Sequence, residues 1–172
     1  MDSLSDMLPA DFECLGSATE FADDIHEIFS NFGLVESPDT SETLLLCNFM
    51  VCYSAPRGAK LVQQGEVGNY MFFLLTGHAE LFIENDRGQP MSIGAIGSGA
   101  AVGGMSMIDH KPRAVSCVAT EPVDLVVLSS QAFKDIMLTL PWLGNKLLMI
   151  LLHSVSARLH ALQKQLASQQ SG

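Results

Sequence analysis

From about residue 50 to residue 128 the chain is a succession of short apolar runs, each cut off by turn-forming residues. No other feature restricts the fold as tightly. The runs occupy residues 50–54, 60–63, 70–75, 80–84, 91–96, 114–119 and 124–128. Between them stand turn signals at residues 56–58, 65–68, 76–77 and 85–88, each containing glycine. Runs this short, at this spacing, predict an antiparallel sandwich or barrel and not a helical bundle. The turn at residues 85–88 ends in Gly88 and predicts a hairpin longer than two residues.

Helices flank this region. Residues 1–16 are acidic with weak periodicity and are expected to be frayed or only partly helical. Ser17 with Glu20 forms a capping-box pattern. Phe21, Ile25, Ile28, Phe29 and Phe32 follow at helical spacing until Gly33 ends the helix. Ser37 and Pro38 predict a second start, with Leu44, Leu45 and Phe49 as its apolar side. Helix returns at Ser130, and Pro141 separates a short helix from a long one, with Trp142 expected to anchor the latter on the barrel. In the long helix Leu148, Leu152, Val155, Leu159, Leu162 and Leu166 recur at spacings of 4 and 3, a heptad seam. The early turns are expected to cover the barrel. The later ones, through Leu152, Val155, Leu159, Leu162 and Leu166, are expected to pair with a second copy. The organisation that results is an acidic helical extension over 1–36, a barrel over 37–140 and a dimerisation helix over 141–172.

Composition narrows the function. With 48% hydrophobic and 16% charged residues the chain can bury a core. Its net charge of −10 argues against direct nucleic-acid binding, which needs clustered Lys and Arg. Residues 1–56 hold eleven acids and no Lys or Arg, whereas the rest has nine Lys and Arg and eight acids. The acidic leader reads as a solvated helical face, with a basic protein partner as the alternative. Cys14, Cys47, Cys52 and Cys117 show no metal spacing, and Cys47 and Cys52 lie in apolar runs as buried thiols. No apolar run is long enough to span a bilayer and no secretory signal opens the chain, so a cytoplasmic location is expected. No catalytic triad, nucleotide loop or paired acids stand out, and a non-enzymatic protein is expected. His153 and His160, seven apart on one helix, read as surface residues and not as a metal site.

One stretch carries chemistry. Residues 97–117 begin glycine-rich, become briefly helix-compatible, and then place Arg113 beside Pro112. Glycines let a backbone approach an anion, amides at a helix start point toward it, and an arginine grips it with two hydrogen bonds. Arg113 is therefore the candidate anion ligand. The structural alternative is a pairing with Asp109 or with a carbonyl near the short helix.

The run Gly58, Gln64, Gly65, Glu66, Gly68, residues 71–74 and Gly77 resembles the cyclic nucleotide-binding domain family. So does the later pattern of Val102, Gly103 and Gly104, a short apolar helix, and Pro112, Arg113 and Ala114. The resemblance covers about residues 40–166. It implies a mainly β fold, a jelly-roll β-barrel with N-terminal helices and a long C-terminal dimer helix. It implies a cyclic phosphate held by Arg113, by the amides of Gly103, Gly104 and Met105, and by Ala114 and Ser116 on the following segment. cAMP, cGMP or another cyclic nucleotide is then the candidate ligand, and no resident cofactor is expected. The family's cassette glutamate, which accepts the ribose 2′-hydroxyl, falls at Gly104. Loss of a charged hydrogen bond of about 1.5–3 kcal/mol weakens a ribose ligand on the order of tenfold to a hundredfold. Three readings stay open: weak cyclic-nucleotide binding, another anion on Arg113, or an empty scaffold. Unlike catabolite-activator-type regulators, the chain shows no helix-turn-helix after the long helix, and its output is expected to pass through protein contact. The alternative is a ligand-free adaptor that uses the acidic helices and the heptad seam.

Overall fold

The strand Tyr70–Thr76 explains the architecture. Six of its seven residues are buried, because it sits in the middle of a sheet that is covered on both faces. Tyr70, Phe72 and Leu74 point into one hydrophobic core and Met71, Phe73 and Leu75 into another, as the alternation of a strand requires. In this computed structural model, which describes residues 4–171, nine strands form two antiparallel sheets. The strands are β1 (Glu13–Ser17), β2 (Val51–Ala55), β3 (Lys60–Val62), β4 (Tyr70–Thr76), β5 (Ala79–Glu84), β6 (Pro90–Ile96), β7 (Ala101–Val102), β8 (Ser116–Ala119) and β9 (Val123–Ser129). One sheet has the order β1-β2-β9-β4-β7 and the other β3-β8-β5-β6. The inter-sheet core holds Leu61, Phe72, Leu81, Cys117, Leu125 and Val127. The mainly β expectation with flanking helices therefore holds. The β5–β6 hairpin is also as expected: Asn85 accepts backbone N–H bonds from Arg87 and Gln89 at 2.9 Å, and Gly88 takes a positive φ of 71°.

The second core lies between the outer face of the larger sheet and five helices, α2 (Ala22–Asn31), α3 (Thr40–Cys47), α4 (Gly104–Asp109), α5 (Ser130–Thr139) and α6 (Pro141–Gln170), whereas Leu4 of the short α1 (Leu4–Met7) packs on the inter-sheet core. Phe29 of α2 meets Phe73 edge-on with ring centroids 5.3 Å apart. Leu143, Leu147, Ile150 and Leu151 of α6 pack on the same core. A partly buried ion pair, Lys146 Nζ to Glu42 Oε2 at 2.7 Å, ties α6 to α3.

Several local expectations are corrected. Residues 13–17 form strand β1, paired with β2 through a bulge between Cys14 and Gly16, where only a frayed or partly helical segment was expected. The open edge of β2 supplies a hydrogen-bonding template that local propensity does not see. The capping-box serine opens a 3-10 turn (Ala18–Phe21), after which α2 continues without a side-chain cap. The next helix starts at Thr40, because Asp39 and Glu42 cap it reciprocally. Trp142 is 47% exposed and does not anchor α6; Leu143, Gly144 and Leu147 do. Cys117 is buried like Cys47 and Cys52, and burial pushes the pKa of Cys52 and of Cys117 up to about 12. The ends of the two flanking segments, residues 1–3 and 172, lie outside the described residues. Among the described residues no helix is long and apolar enough to cross a membrane.

Candidate functional site

The glycine-rich stretch folds into a tight crossing. β7 ends at Val102, Gly103 takes φ 93°, and α4 begins at Gly104. His110 closes α4 in the left-handed region with φ 56°. The chain then returns past the turn at residues 64–66. Arg113 N–H donates to the Glu66 carbonyl and Gly65 N–H to the Arg113 carbonyl, both at 2.9 Å. Glu66 thus serves the turn through its backbone. A Cβ on Gly68 would stand 2.6 Å from Ser106 Cβ and 3.3 Å from Arg113 Cζ. A side chain there would push the arginine out of place.

Arg113 is 4% exposed. Its Nη2 donates to the Tyr70 carbonyl at 2.8 Å, and its Cζ lies 4.6 Å from the Tyr70 ring centroid. Tyr70 is itself fixed by donating its hydroxyl proton to the Leu61 carbonyl at 2.7 Å. Asp109 is not its partner; it accepts the Lys111 amide instead. Arg113 Nη1 is buried and has no hydrogen-bond partner among the described residues. It borders Gly103, where a Cβ would come within 2.5 Å of it. Burial lowers the pKa of the guanidinium, against the opposing influence of Tyr70 and Glu66. It stays charged across the working range. A buried donor with no acceptor is costly and marks where an acceptor fits.

Arg113 stands between two cavities. One, of about 610 Å³, runs beneath residues 7–11 and includes the carboxylates Asp11 and Glu66. The other, of about 550 Å³, lies between the cassette and α6 and has no acidic residue in its wall among the described residues. The second suits an anion. It brings together Gly103, Gly104, Met105, Arg113 and Ala114 from the sequence-derived set. Ser116 does not line it: its hydroxyl accepts the Gln64 N–H at 2.9 Å and supports the turn. Leu152, Val155 and Leu162, read as dimer-seam residues, line this cavity from α6, whereas Leu159 and Leu166 do not. Leu152, Leu159 and Leu166 are at least half exposed and Val155 is 39% exposed.

A cavity residue escaped the sequence reading. Arg158 on α6 donates Nη2 to the Ala101 carbonyl of β7 at 2.6 Å and lines the same cavity. Burial lowers its pKa. A signal was present, since Arg158 lies three residues after Val155 and four before Leu162 and so shares their helix face. A cation on an apolar stripe needs a reason to be there. A Cβ at Gly104 would meet Leu151 Cδ2 at 3.5 Å and Met71 Sδ at 3.7 Å, ordinary contact distances.

A pocketed β-sandwich with an arginine-bearing cassette and a helix across its mouth is the architecture of a cyclic nucleotide-binding domain. The sequence profile of that family, described as the cyclic nucleotide-binding domain, matches residues 53–139. A solved cyclic nucleotide-binding domain from Methylobacillus flagellatus KT is 35% identical, with a TM-score of 0.88 over 92% of this chain and 89% of that one. This chain belongs to the cyclic nucleotide-binding domain family. It is also similar to the cyclic AMP receptor protein of Thermus thermophilus, at 28% identity over 96 residues. The match covers 56% of this chain and 44% of that protein. The type II regulatory subunit of the cAMP-dependent protein kinase of Drosophila melanogaster is 25% identical over 64% of this chain and 29% of its own length. The chain thus spans less than half the length of these curated relatives. The solved catabolite activator protein of Thermus thermophilus superposes with a TM-score of 0.64 at 25% identity, over 80% of this chain and 62% of that one.

Proposed function

We propose that the protein is a non-enzymatic regulatory sensor. A small anionic ligand binds between the cassette and α6, and the resulting state passes to other proteins by contact. The observation that carries this reading is the shared wall: the cavity lined by Arg113, whose Nη1 is unpartnered among the described residues, is closed on its other side by α6. A ligand that bridges the two stabilises one position of the helix over others, by its differential affinity for the two positions. The names of the two curated relatives make cAMP the first ligand to test, and Gly104 in place of the family's glutamate makes it a weak one. The protein works in the cytoplasm as a homodimer formed through the exposed part of the α6 seam.

Calorimetric titration with an anion panel that includes cAMP, cGMP and cyclic di-GMP, beside Arg113→Lys, tests the reading. Binding heat that drops at least tenfold in affinity in the variant, with slowed amide exchange in α6 on ligation, is the expected result. An intact fold that is silent toward every anion assigns the chain to the alternative, a ligand-free adaptor. That alternative draws on Gly104, which offers no ribose acceptor, and on the mainly apolar cavity wall.

A further inference from the structure

The cassette cavity has an uneven chemistry. Two guanidiniums, Arg113 and Arg158, line it, and among the described residues no carboxylate does, although the protein as a whole carries −10. Each guanidinium is held by one backbone carbonyl, Tyr70 on β4 and Ala101 on β7. β4 and β7 are hydrogen-bonded neighbours. One end of the Arg113 group, Nη1, is buried with no acceptor. The remaining wall is almost wholly hydrocarbon and thioether, with Ser106 and Ser154 as the only other polar side chains among the described residues. Toward solvent the lining stays apolar: Met105, Ile108, Met149 and Leu152 are each at least half exposed. A nucleoside presents several ribose and base donors and acceptors. Burying these against such a wall leaves most of them unpaired, which is costly.

We propose that the cavity takes an amphipathic organic anion, one compact carboxylate or phosphate head on an apolar body, with the head on Arg113 and Arg158 and the body along α6. The inference rests on the reading of this cavity as a ligand site. The volume of about 550 Å³ lies within the usual range for small-molecule sites. The head supplies the acceptor that Nη1 lacks, and the apolar body gains from leaving water. Arg158 then acts as a second head-group ligand contributed by α6, so the anion links the Arg113 segment, which follows α4, to α6 directly.

Titration of the full chain with sodium decanoate, 1-decanol, cAMP and cyclic di-GMP, read by calorimetry and by the shift in melting temperature, tests this. Decanoate is expected to bind at least tenfold more tightly than decanol, the head contributing charge-assisted hydrogen bonds. Arg158→Met, which keeps the apolar stem of the side chain and removes the guanidinium, is expected to reduce decanoate affinity about tenfold and leave decanol unchanged. Equal binding of decanoate and decanol would overturn the proposal, as would decanoate binding that ignores Arg158→Met. Binding of either nucleotide with decanoate silent would overturn it while the sensor reading stands. Silence from all four ligands removes support from both. The comparison of decanoate with decanol uses the unaltered protein, so a variant that fails to fold leaves the test intact.

Discussion

Gly103 and Gly104 are neighbours with opposite tolerances. Gly103 sits at φ 93° with its missing Cβ directed at Arg113 Nη1 and the Tyr70 carbonyl, at 2.5 and 3.0 Å. Gly104 is the first residue of α4 and would meet only ordinary contacts. Gly103→Ala should therefore cost about 1–3 kcal/mol from backbone strain and a displaced guanidinium. Gly104→Ala should be neutral or gain about 0.5–1 kcal/mol by lowering the entropy of the unfolded chain. Urea unfolding of the two variants checks this, and equal losses would mean that the crossing is looser than its geometry. Residue identity alone shows that Gly104 removes a carboxylate. It does not show that Gly103 leaves room for the arginine, because the arginine is held beside it by the Tyr70 carbonyl of β4, more than thirty residues away.

Among the elements, α6 does two jobs along its length, and its ends can be separated experimentally. Its N-terminal third is locked to α3 by Lys146 and Glu42, and Glu42 also accepts the Asp39 N–H at 2.9 Å in the capping box of α3. Glu42→Ala removes a cap and leaves a half-buried ammonium unpaired. The expected loss is about 1–3 kcal/mol in urea unfolding. Asp39→Ala, which loses the cap alone, should cost less, about 1 kcal/mol. Identical losses in the two variants would assign the ion pair no net contribution. The heptad spacing correctly marked α6 as long and apolar on one stripe. It could not divide the stripe, because whether Leu162 or Leu159 faces the cavity depends on the roll of the helix against the sheet. In the opposite direction, the acidic composition of residues 1–16 concealed β1, whose strand conformation comes from its partner β2 and not from its own residues.

For the molecule as a whole, the open question of assembly falls on the seam residues that the cavity does not use. Leu159 is 53% and Leu166 60% exposed, and neither lines the cavity. Replacing both with glutamate should convert a dimer to a monomer in light scattering while leaving the fold, read by circular dichroism, unchanged. An unchanged mass would move association elsewhere on the surface. The sequence by itself determined the strand rhythm, the cassette and its family, and the length and stripe of the last helix, because each is a pattern of spacing within a short window. Tertiary structure alone decided what the charged groups do. Arg113 finds the Tyr70 carbonyl 43 residues away, Arg158 the Ala101 carbonyl 57 residues away, and Lys146 reaches Glu42 across 104 residues. No local period encodes such pairings. They follow from how the sheet, the cassette and α6 pack, and that packing places two cations and no anion around one apolar cavity.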